Sequence, residues 1–316
     1  MLFKDLKIQI NGLNETDSTI LVEEITALLK KFNELDLRRL DSIIITENFE
    51  RDIEKITSPK SAIFKNRYSS QKQTLAKVLT LPTHDDFKFI LIMRASYAIN
   101  LLKHDDNLSI YRDAVHVFHH ELGHIHDNNN KIDKFKDQMK NSSYKGKQSI
   151  FYPIAEVCWS EYIANYLSSS SAQESLMPEM VANSLEVAIR EKEQRIKTEV
   201  MAFKANKTRT DLLHSIKDDI ESLLKTACYV IGYMHGMNKT LEELSYDSDY
   251  FLECSYFKDI WEVLIYELNS MIDVYPNGWI NLNIYQPLAF SIEAFFNQMG
   301  VVVLQDDKEE VYFRVM

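Results

Sequence analysis

The sequence is poor in the residues that interrupt regular structure. Its 316 residues include only 7 glycines and 6 prolines. Because turns between short strands depend on these residues, their scarcity argues against a many-stranded barrel or sandwich and favours long helices. Hydrophobic residues make up 45% of the chain and charged residues 26%, which is typical of a globular protein and not of a disordered one.

Cysteine and long apolar runs are scarce as well. Cys158, Cys228 and Cys254 are odd in number and form no CxxC pair, so we expect neither a disulfide framework nor a cysteine zinc site. The first ten residues lack the apolar stretch of a signal peptide, and the longest apolar runs are too short to span a membrane. These absences predict a soluble protein in the reducing cytoplasm.

Positive charge is the third deficit. Lysine and arginine number 36 against 47 acidic residues, which gives a formal net charge of −11. A surface this acidic is a poor partner for nucleic acid or for an anionic membrane, so we expect no nucleic-acid or membrane partner. The oligomeric state stays open at this level.

The pattern of hydrophobic residues predicts an α+β fold with a small N-terminal mixed sheet and a mostly helical C-terminal half. Alternating or β-branched segments predict strands at 6–10, 42–46, 76–81 and 87–93, and the tail at 301–315 predicts a β-hairpin. Helical spacing predicts a helix after Ser18 and others over 111–127, 154–168, 179–204, 210–237 and within 241–274. The polar stretch 61–72 predicts a loop or an exposed edge, and the polar stretch 127–149 predicts a surface loop.

One motif with recognisable chemistry lies in the predicted helix 111–127. His120-Glu121-Leu122-Gly123-His124 is an HExxH sequence. Two histidines at positions i and i+4 project from one face of a helix, where both imidazoles can bind a single zinc ion. Glu121 lies near that face, where it could accept a proton from a water molecule at the metal and return it to a leaving amine.

A catalytic zinc site needs a third protein ligand. The next helix offers Glu156 and Glu161, which are about 140° apart around the helix axis and so cannot both face one ion. Glu161 has Asn165 one turn later on the same face, placed to hydrogen-bond a ligand. We therefore favour Glu161 as the ligand and keep Glu156 as the alternative.

These residues carry a family resemblance. HELGH followed by Glu161 on a second helix resembles the gluzincin class of zinc metallopeptidases. The segment Glu161–Asn165, with the later Leu176-Met177-Pro178, resembles the ExEAN…LMP pattern of the ImmA/IrrE-like family. The second acidic residue of that pattern is replaced by Ile163 here. The resemblance implies zincin-like active-site helices and a Zn²⁺ ion held by His120, His124 and Glu161. It also implies that Glu121 is the general base. On this basis residues 1–178 would form a metallopeptidase region and 179–316 a helical region ending in the hairpin.

Several other residues are candidates for supporting roles. A residue that stabilises the oxyanion is expected in such an enzyme, and Tyr229, Tyr233, His214 and His235 lie on downstream helices, with His235 and Tyr233 placed first. His116 extends the histidine stripe by one turn, whereas His119 and His126 are expected in solvent. An edge strand that pairs with an extended substrate would be 76–81 or 87–93.

The sequence thus predicts a zinc metallopeptidase that cleaves an intracellular protein or peptide. Two other hypotheses stay open. The chain could be a non-proteolytic regulatory or binding protein on a metallopeptidase scaffold, or it could hydrolyse a non-peptide amide.

Overall fold

The computed structural model describes residues 6–57, 74–141, 144–206 and 212–316. The chain divides into two compact units, one formed by Met1–Lys136 and Leu167–Met177, the other by Asp137–Tyr166 and Pro178–Met316. The boundary expected at residue 178 does not follow this division, because 137–166 groups with the C-terminal residues. The assignment of a function to each region stays a prediction.

The first unit contains a four-stranded mixed sheet within the described residues. Its strands are β1 (Lys7–Ile10), β2 (Leu40–Thr46), β3 (Ala76–Pro82) and β4 (Phe87–Arg94), in the order β1-β2-β4-β3. β2 is parallel to β1 and β4, whereas β3 is antiparallel to β4. The small mixed sheet predicted from the sequence is confirmed. A near-continuous apolar sequence makes β4 suitable for the interior of the sheet, where both faces are covered.

In the described residues of the first unit, four α-helices and most of a fifth accompany the sheet. They are α1 (Glu15–Lys31), α2 (Phe49–Ile56), α3 (Ala95–Ala98) and α6 (Ser169–Ala172), with α4 (Leu108–Asn141) continuing beyond Lys136. α1 begins before the expected Ser18 because the Asn14 side chain accepts a hydrogen bond from the Asp17 amide at 2.9 Å and caps the helix. Phe49 and Ile53 of α2 pack with buried residues of β3 and β4.

Helix α4 is longer than predicted. The sequence indicated an end near Asp127, but the helix continues through the three asparagines that follow, with one non-helical residue at Phe135. Asn129 has partners outside the helix: its amide donates to the Asp36 carbonyl at 2.7 Å and its side-chain oxygen accepts from Arg39 at 3.0 Å. Ile132 and Phe135 are buried, so the loop predicted over 127–149 is wrong for most of its length.

The second unit is mainly helical, as predicted. Its elements are α5 (Gln148–Leu167), α7 (Met177–Asn206), α8 (Leu212–Met237), α9 (Leu241–Leu244), α10 (Tyr246–Glu253), α11 (Lys258–Asp273) and α12 (Gln286–Gln298), followed by β5 (Val301–Gln305) and β6 (Val311–Val315). β5 and β6 pair antiparallel, which confirms the hairpin. The loop or exposed edge predicted at 61–72 lies outside the described residues. Among the helices of the described residues, none has the length and apolar character needed to cross a membrane.

Candidate metal site

Helix α4 carries the HExxH residues and is held by contacts along its length. Leu122 and Ile125 are fully buried on its apolar side. Near its start, the Tyr111 hydroxyl donates to Glu24 of α1 at 2.7 Å. Two residues beyond the motif, His126 Nδ1 accepts a hydrogen bond from the Asp36 amide at 2.8 Å. The helix therefore presents the motif from a fixed position in the first unit.

His116 and His119 are buried and His126 is half-buried, which corrects the expectation that His119 and His126 lie in solvent. His119 is fully buried and stacks on Phe32, with ring centroids 3.6 Å apart. His116 and His119 place Nδ1 at 3.0 and 2.9 Å from the hydroxyl oxygen of Ser171, which donates its own proton to the Ser168 carbonyl. Burial lowers the pKa of both histidines to about 3, so each ring is neutral at pH 7.

His120 and His124 turn their Nε2 atoms towards each other. The two nitrogens are 3.0 Å apart, and the ring planes are nearly perpendicular at 86°. Two nitrogen ligands roughly 2.0–2.1 Å from one zinc ion in tetrahedral geometry would be about 3.3 Å apart. The observed separation is close to that value. It also fits a hydrogen bond in which one of the two nitrogens carries the proton.

Glu121 lies between these histidines in the sequence and is buried, with 8% of its surface exposed. The part of the chain that the structure describes contains no hydrogen bond or ion pair to its carboxylate. A buried acid is costly unless something compensates its charge. Within the described residues no hydrogen bond or ion pair engages the Glu121 carboxylate, so this side chain is able to accept a proton from a bound ligand.

Glu161 of α5 is buried and forms an ion pair that the sequence did not reveal. Its Oε1 atom lies 2.8 Å from the ammonium nitrogen of Lys225 on α8. The alternative ligand, Glu156, accepts a hydrogen bond from the Tyr144 hydroxyl at 2.6 Å. No sequence signal points to Lys225, because lysine is not a metal ligand at neutral pH and lies far from Glu161 in the chain.

His120, His124 and Glu161 form a group that could hold a metal ion. Their potential ligand atoms all lie within 4.8 Å of one another, and two of the three side chains are buried. Two imidazole nitrogens with one carboxylate oxygen are the donor set of His₂Glu zinc sites, so the residues fit such an ion by their chemistry. Glu156 does not belong to the group. The expectation of a metal site is thus supported at the level of its donors, whereas the identity of the metal is not.

Close contacts between α5 and α8 hold Glu161 in place. The amide of Asn165 donates to the Tyr229 carbonyl at 3.0 Å. A Cβ atom at Gly232 would lie only 2.5 Å from the Tyr162 carbonyl oxygen, so glycine permits the approach of the two helices. Asn165 therefore has a definite role in joining these helices, and its predicted role beside the metal ligands stays a prediction.

Among the residues considered for oxyanion stabilisation, His235 has a defined hydrogen bond. Its Nδ1 atom lies 3.0 Å from the Tyr162 hydroxyl. Burial raises the pKa of Tyr162 above its usual value, so the hydroxyl keeps its proton at neutral pH, and the tautomer of His235 decides which of the two groups donates. Tyr233 is buried, and His214 is exposed beside Asp218.

Two of the three cysteines are close in space despite their distance in the sequence. Cys158 of α5 and Cys228 of α8 are fully buried. Burial, followed by the hydrogen bond with Cys158, raises the pKa of the Cys228 thiol well above its usual value. Both are free thiols, so they contribute to the packing of the two helices as small apolar side chains.

The sheet separates the two candidates for a substrate-binding strand. β4 is an interior strand, paired with β2 on one side and β3 on the other, so it has no free edge and the suggestion that it binds substrate is wrong. β3 lies at the edge of the described sheet. It is the strand that an extended peptide could join.

Comparisons of the chain with protein-family models, with curated proteins and with solved structures give no match. The functional interpretation therefore depends on the site itself.

Proposed function

We propose that the protein is a zinc-dependent metallopeptidase with zincin-like active-site helices, similar to the gluzincin class. The observation that supports this proposal is the group formed by His120, His124 and Glu161. The motif alone is short, and its two histidines would also fit a hydrogen-bonded pair. A third donor from a distant helix adds an independent reason to infer a metal site with the donor set of a catalytic zinc.

A zinc ion held there would lower the pKa of a water molecule and polarise a peptide carbonyl. His120, His124 and Glu161 would supply the three protein ligands. Glu121 would accept the proton of the attacking water and then deliver it to the nitrogen of the leaving amine. Its burial and its lack of a hydrogen bond or ion pair within the described residues suit this role.

His235 is our candidate for stabilising the negative charge that develops on the carbonyl oxygen. In the tautomer in which Tyr162 donates to Nδ1, the neutral ring of His235 carries its proton on Nε2, where it can act as a donor. Tyr233 is the less suitable candidate, since only 2% of its surface is exposed.

A peptide is the substrate class that the fold favours. Within the described residues β3 lies at the edge of the sheet, the position at which an extended chain can add a strand. Main-chain pairing of this kind recognises any extended peptide, whereas a small amide offers no strand to pair. We therefore place a protein or peptide substrate before a non-peptide amide.

Metal analysis and turnover together test the proposal. We expect about one zinc per chain, loss of that zinc in His120→Ala and His124→Ala, and retention of zinc in Glu121→Gln with cleavage reduced about 100-fold or more. Cleavage is followed by mass spectrometry on a library of unfolded proteins and peptides. His214→Ala is the matched control, because that histidine is exposed and outside the metal group.

Each outcome separates the hypotheses. Zinc that is absent from the wild type, or unchanged in His120→Ala, would exclude the proposed site. Zinc binding without cleavage of any library member would favour the regulatory or binding protein. Cleavage that persists in Glu121→Gln would exclude Glu121 as the general base while leaving the metal site intact.

A further inference from the structure

Strand β6 is the more exposed of the two strands in the C-terminal hairpin. Among the residues that the structure describes, this sheet consists of β5 and β6 alone. Val301 and Val303 of β5 are fully buried, whereas 52% of Tyr312 on β6 is exposed. Within the described residues, β6 therefore lies at a sheet edge on the surface of the second unit.

The register of the hairpin determines which backbone groups of β6 face away from β5. Just outside the paired strands, the Asp306 amide donates to the Glu310 carbonyl at 3.1 Å and the Met316 amide to the Gly300 carbonyl at 2.9 Å. Because hydrogen-bonded pairs alternate along an antiparallel ladder, the even-numbered residues of β6 bond to β5. The N–H and C=O groups of the odd-numbered residues point to the opposite edge. These residues are Val311, Phe313 and Val315.

The sequence of β6 lacks the features with which natural proteins protect a sheet edge. It reads VYFRV, with β-branched and aromatic residues and one arginine, and contains no proline, glycine or lysine. Tyr312 and Arg314 are both exposed on the outer face. Phe313 faces the other way and contacts the Phe203 ring of α7, with centroids 5.6 Å apart. Such a strand is suited to pairing with a further strand.

We propose that β6 pairs antiparallel with β6 of a second copy of this chain, with the two-fold axis at Phe313. Phe313 would exchange both backbone hydrogen bonds with its counterpart, and Val311 would do so with Val315 of the other copy. Tyr312 would lie opposite Arg314 of the other copy, on both sides of the axis. A guanidinium group over a tyrosine ring is an attractive pair, so the strand is complementary to itself.

Charge favours the antiparallel direction. The hairpin turn at 306–310 holds four acidic residues and one lysine. Antiparallel pairing places the two turns at opposite ends of the joint sheet, whereas parallel pairing would bring them together and set Arg314 beside its own counterpart. A five-residue edge buries less surface than a standard interface. We therefore expect a reversible dimer with a Kd of about 1–100 µM.

Sedimentation velocity over a range of about 1–300 µM measures this equilibrium. The wild type should change from monomer to dimer within that range. Val311→Pro removes an N–H from the outer edge and none that donates to β5, and the symmetry of the dimer removes the bond twice. The Kd should therefore rise about 10-fold or more.

A charge exchange on the outer face tests the register. Tyr312→Lys places a lysine opposite Arg314 of the other copy, which should raise the Kd about 10-fold or more. Adding Arg314→Glu to this variant should restore dimerisation, because the lysine then faces a glutamate. Tyr266→Lys is the matched control, since this tyrosine of α11 is 69% exposed and lies outside the hairpin. It should dimerise like the wild type.

The inference is independent of the metal site, so zinc content should be the same in all these variants. A wild type that stays monomeric up to about 300 µM would overturn it. A dimer that is equally stable in Val311→Pro and Tyr312→Lys would overturn it too, because the copies would then meet through another surface. If Val311→Pro does not fold, the exposed positions still decide: failure of Arg314→Glu to rescue Tyr312→Lys contradicts the proposed pairing.

Discussion

Gly232 provides a direct test of the contact between α5 and α8. A Cβ atom at this position would lie 2.5 Å from the Tyr162 carbonyl oxygen and 2.9 Å from the Asn165 Cβ. Ordinary contacts of a Cβ atom begin at 3.4 Å, so the first distance is about 0.9 Å too short. Because the carbonyl belongs to the backbone of a helix, it cannot rotate away, and one of the helices must move.

Two opposing contributions determine the effect of Gly232→Ala on stability. Alanine favours a helix interior by about 1 kcal/mol over glycine. Overpacking a well-packed contact costs about 1–3 kcal/mol, and the higher values apply where backbone atoms must shift. We expect the second contribution to prevail, with a net loss of about 1–2 kcal/mol in the free energy of unfolding and a fall in Tm of roughly 2–4 °C per kcal/mol.

Urea denaturation and calorimetry measure this loss. Gly232→Val serves as a graded comparison, because its larger side chain should reduce stability further if overlap is the cause. A Gly232→Ala protein that is as stable as the wild type, or more stable, would refute the close approach of the helices.

Two further predictions concern the support of α4. Burial lowers the pKa of His116 and His119 in the folded protein, whereas the histidines of the unfolded chain have pKa values near 6.5. As the pH falls, the unfolded chain therefore takes up protons first. The free energy of unfolding of metal-free protein should then decrease below about pH 6.5, by as much as about 1.4 kcal/mol per pH unit for each histidine. His119→Gln should reduce this slope in urea titrations at pH 7 and pH 5, and a flat profile in the wild type would contradict the burial argument. Asn129→Ala should lower the free energy of unfolding by about 1–3 kcal/mol, because the Asp36 carbonyl and Arg39 lose their shared partner. Asn128→Ala should lower it little, and equal stabilities of the two variants would count against this explanation.

The sequence predicted the type of most elements because local patterns carry that information. The apolar run at 87–93 indicated a strand, and it corresponds to β4. The helical spacing after Pro178 and in 210–237 corresponds to α7 and α8. In each case the hydrophobic residues whose spacing predicts the element are also the residues that the fold buries, so the local sequence pattern and the tertiary packing favour the same structure.

The sequence misplaced features whose cause lies in distant contacts. Three consecutive asparagines indicated the end of a helix, but Asn129 finds its partners at Asp36 and Arg39, which compensate its low helix propensity. His119 was assigned to solvent by its angle on the helix. The structure covers that face with Phe32 and Ser171, and no periodicity within α4 could reveal this contact.

The choice between Glu156 and Glu161 shows what kind of information a sequence contains about a metal site. Helical angles establish that the two acids face different directions, but they do not tell which direction leads to the histidines. The partners decide: Glu156 is engaged by Tyr144, and Glu161 lies with His120 and His124. Lys225, which binds Glu161, is excluded from any search for ligands because an ammonium group does not bind metals. Its ion pair with Glu161 joins two helices that are distant in the sequence, and only the three-dimensional structure reveals it.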